Sequence, residues 1–366
     1  MTESVEAPRQ AGRSPPWIRI ALIGLALHLV LFVYPVLRIS FWLELPVFIW
    51  AVVLVVVTSS QVVARGLLRN PKTGLARLVR QSLDFILGVS PMLVLATVMA
   101  EGLVWFDLLS TNSAAWLVIW VVAIGGGAGL FAAVFPFIHR IELEFSQLQE
   151  PLSLVQITDV HIGSRSQAFL ERVVARIADL NPQILCITGD LIDQKNVQQQ
   201  VLSCFSGLTM PIYFVIGNHE RYEDLEDILL KLERVGVQSL RNATAWFRDD
   251  VQIVGIDDKD DPHQVEKQLD KIEINSSAFT LLLYHRPQGL VPAGRAGVQL
   301  MLSGHTHNGQ IFPFNLLVAR VFEQVKGLFS YHGAHLYVSQ GTGTWGPVLR
   351  LGTRAEITWF QLKPIR

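Results

Sequence analysis

Leu152-Ser153-Leu154-Val155-Gln156-Ile157-Thr158-Asp159-Val160-His161 is an apolar run of β character that stops on an aspartate and a histidine two residues apart. Four later runs stop the same way. Ile184–Ile187 leads to Gly189-Asp190 and Asp193, and Ile212–Ile216 to Gly217-Asn218-His219-Glu220. Phe279–Leu283 leads to Tyr284-His285, and Val298–Leu302 to Gly304-His305-Thr306-His307. Metal-type ligands gathered at the ends of buried strands are how an α/β domain builds a site. Aspartate, asparagine and histidine without paired cysteines describe a hard-to-borderline divalent centre, not a thiolate one.

Outward from that stretch, Gln167–Leu180 repeats apolar side chains at Phe169, Leu170, Val173, Val174, Ile177 and Leu180, a helical period that Asn181-Pro182 stops. Further helices are expected from Val197 and over Asp224–Arg234. The resulting βαβαβα order buries strands on both faces. More strands follow at Ala245–Arg248, Val251–Ile256, Phe279–Tyr284, Val298–Leu302 and His335–Ser339, with another pair expected in Leu349–Trp359. The fold class is α/β: two packed sheets flanked by helices, with the ligands on loops along one edge.

The 366-residue chain is half hydrophobic, and the excess is uneven. Residues 1–16 are polar, rich in Pro and Ser, and expected to be a disordered tail. Residues 17–139 hold four apolar segments, roughly Trp17–Leu37, Phe41–Val63, Leu83–Trp105 and Ala114–Ile138. Each is near the ~20 residues a bilayer-crossing helix needs. Three more such segments after the first argue against a signal peptide. Asp84, Glu101 and Asp107 are expected near segment ends, which favours an anchor over an ion path. The connection between the second and third segments carries Arg65, Arg69, Lys72, Arg77 and Arg80. Together with Arg9, Arg13 and Arg19 it orients the amino terminus, and after four crossings the rest of the chain, toward the cytoplasm. Residues 140–150 are read as a linker, with an interfacial strand or a short amphipathic piece as the alternatives for this mixed apolar and charged stretch, and 151–366 as the metal domain. The net charge of −1 carries no signature of a nucleic-acid binder. Cys186 and Cys204 lack ligand spacing and are read as buried free thiols.

Asp-x-His at 159–161, Gly-Asp-x-x-Asp at 189–193, Gly-Asn-His-Glu at 217–220, His285 and Gly-His-x-His at 304–307, in this order, resemble the calcineurin-like metallophosphoesterases. The resemblance covers essentially 151–366. The Gly341–Gly352 tail resembles the bacterial membrane-associated branch, some of whose members act on phosphoesters of cell-envelope lipid precursors. The resemblance implies two divalent ions, with Mn, Fe and Zn all suiting the ligands. One would be held by Asp159, His161, Asp190 and His307, the other by Asp190, Asn218, His285 and His305. Asp190 would be shared, and His219 would serve catalysis by donating to the phosphate or the leaving oxygen. Its plainer role is to buttress the metal cage, and Glu220 and Asp193 are candidates for the same task.

No serine elbow or Gly-rich phosphate loop offers another chemistry. The expected function is metal-dependent hydrolysis of a phosphoester or pyrophosphate in a membrane lipid or nucleotide-linked lipid precursor. A UDP-diacylglucosamine-type lipid is the most specific form of that expectation. The alternative is a membrane-anchored scaffold that binds a phospho-ligand without turnover. Partners are membrane lipids and the lipid-linked or nucleotide-linked substrate. The acidic group Asp257, Asp258, Asp260 and Asp261 lacks the spacing of a calcium loop and reads as a solvated turn or a helix-start cap. Ile311–Phe322 is apolar and adjoins His307; a buried core helix is the plainer reading, and an interfacial helix that rests on the membrane or lines a groove for acyl chains is the one expected. Arg320, Lys326 and Arg350 are candidate phosphate contacts.

Overall fold

The structure, a computed structural model, describes residues 16–69, 71 and 73–365. The expected tail, Lys72 and the first two arginines of the orientation argument lie outside these. The chain forms two compact units, Met1–Val122 and Ala123–Arg366, and the division falls inside the fourth apolar helix.

Among the described residues, four helices are long and apolar enough to cross a membrane: Ile18–Trp42, Val47–Leu67, Gly74–Trp105 and Thr111–Val134. The third begins well before the apolar segment read from sequence, so Asp84 lies inside a helix, not at its end. Its carboxylate is buried and paired with Arg80 at 2.7 Å and Arg65 at 3.2 Å. Glu101 pairs with Arg38 and accepts the Tyr34 hydroxyl at 2.6 Å. Carboxylates beside cations within the same unit are the arrangement a low-dielectric surround requires. The fourth helix ends at Val134, short of the expected Ile138, because the chain turns into a strand there.

Among the described residues of the second unit, twelve strands form two six-stranded sheets. They are β1 Phe137–Phe145, β2 Leu152–Ile157, β3 Ile184–Thr188, β4 Ile212–Val215, β5 Val237–Ser239, β6 Ala243–Arg248, β7 Val251–Gly255, β8 Phe279–Leu283, β9 Leu300–Ser303, β10 Gly327–Tyr331, β11 Ala334–Val338 and β12 Glu356–Pro364. The first sheet runs β1-β12-β2-β3-β4-β5 and the second β10-β11-β9-β8-β7-β6. Residues 140–145, read as linker, belong to β1, which pairs in parallel with β12 from the far end of the chain. The pair of strands expected in Leu349–Trp359 is one strand only. Its first half is held as loop against the fourth helix, where the Arg350 amide donates to the Gly129 carbonyl at 3.0 Å.

Within the two sheets, β2 to β5 and β7 to β9 run parallel. Leu154, Cys186, Val215, Leu281, Leu302 and Phe360 fill the space between the sheets. Helix Gln167–Leu180, capped by the Ser166 side chain, covers the outer face of the first sheet. Helices Gln264–Leu269 and Leu290–Ala296 cover that of the second. Phe360, fully buried between the sheets, predicts that Phe360→Ala costs about 3–5 kcal/mol. Exposed Leu317→Ala should cost under about 0.5 kcal/mol. Thermal unfolding of both variants in detergent checks this, and equal shifts would contradict the packing described.

Candidate metal centre

Because β2, β3, β4, β8 and β9 point the same way within their sheets, the loops at their carboxyl ends converge. The five motifs sit on those loops. Asp159, His161, Asp190, His305 and His307 all have backbone in the left-handed region (φ 49–73°). Non-glycine residues reach that region at a cost, and aspartate and histidine are among those that reach it most readily. Two glycines make the close approach possible. A Cβ on Gly217 would collide with the Asp190 carboxylate, and one on Gly304 with Thr158 and the Asp159 carboxylate.

Two donor clusters result, Asp159–His161–His307 and Asp190–His285–His305, each with its ligand atoms within 4.8 Å of one another. In the first, His161 Nε2 lies 3.0 Å from His307 Nε2, which is 3.2 Å from Asp159 Oδ1. In the second, His285 Nε2 lies 3.1 Å from Asp190 Oδ2, 3.2 Å from Asn218 Oδ1 and 3.1 Å from His305 Nδ1. The other nitrogen of that ring, Nδ1, donates to the Thr188 carbonyl at 2.8 Å, so Nε2 is the atom offered to the cluster. Ring nitrogens facing each other across 3 Å beside carboxylate oxygens form a donor set that a divalent cation satisfies and a lone proton satisfies only in part. The residues present therefore fit the implied metals. His161, Asp193 and His219 form a further grouping against the first.

The electrostatics agree. Burial opposes ionisation of Asp190, yet the His285 charge outweighs it and holds the carboxyl well below the usual range. Burial likewise works against Asp159, and His307 overrides it. Burial disfavours a charged His285, but Asp190 pulls it up to about 10, while burial and the neighbouring His285 charge push His305 down to about 3. The two rings are thus driven apart, His285 toward its charged form and His305 toward its neutral one.

The supporting residues are specific. Glu220, fully buried, accepts the amides of Asp190, Ile192 and Gly217 at 2.8–3.0 Å, clamping two motif loops together. Its burial and the Asp190 charge raise its carboxyl to about 7. Asp193 accepts the Ser164 amide and hydroxyl and lies 3.5 Å from His161 Nδ1. The His219 amide donates to Asp190 Oδ1 at 2.8 Å, and its ring stands edge-on to His161 at 4.7 Å and to Trp345 at 6.0 Å.

Two expectations need correction. Asp258 is not part of a solvated turn; it is buried, bonding Arg221 at 2.7 Å and Arg286 at 2.6 Å. Those arginines follow His219-Glu220 and His285, so Asp258 ties two motif loops, and Asp260 joins the same network from the surface. The adjacency of each arginine to a motif was the only signal available in sequence. Arg350 is no phosphate contact. It is 1% exposed and gives its guanidinium to the carbonyls of His307, Gln340, Gly341 and Gly343 at 2.7–3.3 Å.

Donors from five strand ends on a helix-flanked pair of sheets define a two-cluster metal centre. The calcineurin-like phosphoesterase family profile matches residues 152–309. An uncharacterized metallophosphoesterase of Campylobacter jejuni is 32% identical over 241 residues, which cover 62% of this chain and 63% of that protein. A transmembrane protein with metallophosphoesterase domain from Danio rerio is 33% identical over 258 residues, covering 63% of this chain and 58% of that protein. An Aquifex aeolicus metallophosphoesterase, also uncharacterized, is 29% identical over 237 residues, covering 62% of this chain and 90% of its own length. The match spans less than two thirds of the length of the first two. Over residues 152–309 the chain matches the calcineurin-like phosphoesterase family, and the proteins it resembles include both bacterial and membrane-associated metallophosphoesterases.

Because the metal-free His285–His305 pair holds a proton up to about 10, cation uptake must expel it. Affinity for Mn²⁺ or Zn²⁺ should rise with pH toward that value, with protons released on binding near neutrality. Calorimetric titration of metal-free protein in buffers of different ionisation enthalpy measures the release; heats independent of buffer would contradict it.

Proposed function

We propose that this chain is a membrane-anchored, metal-dependent phosphoesterase acting on a lipid-linked or nucleotide-linked phosphoester or pyrophosphate. The observation that carries the proposal is the pair of donor clusters sharing one edge of the two sheets. Asp159, His161, Asp190 and His307 would hold one cation, and Asp190, Asn218, His285 and His305 the other. Two such ions supply Lewis acidity toward phosphoryl oxygens and water of lowered pKa. The chain's own residues do the rest. Asp193 orients the His161 ring, and Glu220 fixes the Asp190 and Gly217 amides so that the Asp190 carboxylate keeps its direction. Burial pushes His219 below its ordinary value, so the ring is neutral at pH 7. A neutral imidazole carries one N–H, and His219 offers it as a hydrogen bond to a phosphoryl oxygen or to the departing ester oxygen. Exposed Trp345 and Tyr222 flank that ring and offer apolar surface to the rest of the substrate.

The lipid-linked class is supported by the spanning helices of the same chain and by the apolar surface following His307. The run of Arg65, Arg69, Lys72, Arg77 and Arg80, which in sequence spans the end of the second helix and the start of the third, supports a cytoplasmic location for the metal domain. Manganese is one suitable ion among Mn, Fe and Zn.

His219→Ala should lower kcat about 10²–10⁴-fold with bound metal unchanged. Asp190→Asn should lose both metal and activity. Turnover of a panel of lipid pyrophosphates, phospholipids, cyclic nucleotides and simple phosphodiesters, with metal analysis of each protein, reads both effects. Undiminished hydrolysis by chelator-stripped protein would overturn the proposal. Metal-loaded wild type that binds these ligands but turns none over would make the chain a scaffold.

A further inference from the structure

The Phe314–Val321 helix has the wrong surface for water. Phe314, Leu316, Leu317, Val318, Ala319 and Val321 are apolar, none of its side chains is buried, and Leu317 and Val321 are 57% and 75% exposed. A helix packed on a domain core hides its apolar stripe and shows polar residues. This one shows the apolar residues, and Phe312 just before it is also exposed.

Its attachments fix what lies beside it. At its start, the Phe312 amide donates to the Leu351 carbonyl at 2.9 Å, and Ile311 forms a bridge with Leu351. Leu349 and Leu351 pack against Gly129 so closely that a Cβ there would press on both and on the Arg350 carbonyl. The Arg350 amide donates to the Gly129 carbonyl at 3.0 Å, and the Ala355 amide to that of Ala132 at 3.2 Å. Gly129 and Ala132 belong to the last turns of Thr111–Val134, one of the four helices long and apolar enough to cross a membrane. At 1.5 Å per residue that helix is about 36 Å long, against a hydrocarbon core of about 30 Å. Gly129 therefore lies within the edge of that core, and the loop that grips it carries the apolar helix at the same level. Leu130 and Phe131 on the spanning helix, and Phe135 just after it, are exposed apolar side chains at that same end. Exposed Arg320 supplies the positive charge that such helices present to headgroup phosphates.

We infer that the Phe314–Val321 helix is embedded in the lipid interface, and that the metal centre opens there. The link to the centre is direct: His307 precedes the helix, and the Phe322 ring at its end stands edge-on to His305 at 5.4 Å. Resting on the phosphoesterase reading above, this gives the substrate class as a phosphoester whose acyl chains stay in the bilayer while its headgroup enters the centre.

The test uses the full chain with Cys204→Ser, since Cys204 is only half-buried and Cys186 is buried. It is reconstituted in vesicles of phosphatidylcholine and phosphatidylglycerol, with a nitroxide on Leu317→Cys, on Val321→Cys or, as the water-facing reference, on Ser276→Cys. Collisions with oxygen should exceed those with a water-soluble nickel chelate at 317 and 321, with the order reversed at 276. A water-like ratio at 317 and 321 would overturn the inference, as would exclusion of both agents, which would mean that protein covers the helix. The depth measurement needs no turnover. Lipid-buried labels in a protein without hydrolysis would sink the phosphoesterase reading alone, and water-exposed labels in an active enzyme would sink this one alone.

Discussion

The structure turns on the placement of like donors at one sheet edge. Two imidazole nitrogens 3.0 Å apart beside Asp159, and two more 3.1 Å apart beside Asp190, repel or compete for one proton unless a cation lies among them. The arrangement persists because the surrounding fold over-determines it. Parallel strands fix where each loop starts, Glu220 accepts three amides from two loops, and Asp258 joins the two arginines that follow the histidine motifs. Strain of this kind, with five residues in left-handed backbone, is what a preorganised site stores.

The same rigidity extends past the ligands. Arg350, buried, serves four backbone carbonyls, one of them that of His307. Burial lowers its guanidinium to about 10, still charged at neutral pH, so its cost is offset only while all those carbonyls stay in place. The loop that contains it is the loop that packs on the fourth apolar helix. Ligand geometry and attachment to that helix therefore share one short segment, 349–355.

What could be read beforehand follows from how local the signal is. Runs such as Ile184–Ile187 and the helical period of Gln167–Leu180 are local, and the five ligand motifs each lie within a few residues of a strand end. Strand β1 was legible only as one of several readings of 139–150, because its partner is β12, at the other end of the chain, and its apolar start merges with the helix before it. The second strand expected in 349–359 failed for a related reason: apolar Leu349 and Leu351 alternate as a strand would, but their partner is the side-chain-free surface at Gly129. Asp258 looked like solvent-facing charge because its arginine partners are distant in sequence. Arg350 looked like a substrate contact because burial of an arginine against carbonyls leaves no trace in composition.

The central claim is that the two clusters are filled together, with Asp190 between them. Diffraction from crystals of the full chain, collected at and below the absorption edge of the bound metal, tests it most directly. Two anomalous peaks about 3.5–4 Å apart, both within bonding distance of the Asp190 carboxylate, are expected. A single peak, or peaks away from Asp159, His285 and the two histidines of the Gly304–His307 turn, would contradict the account.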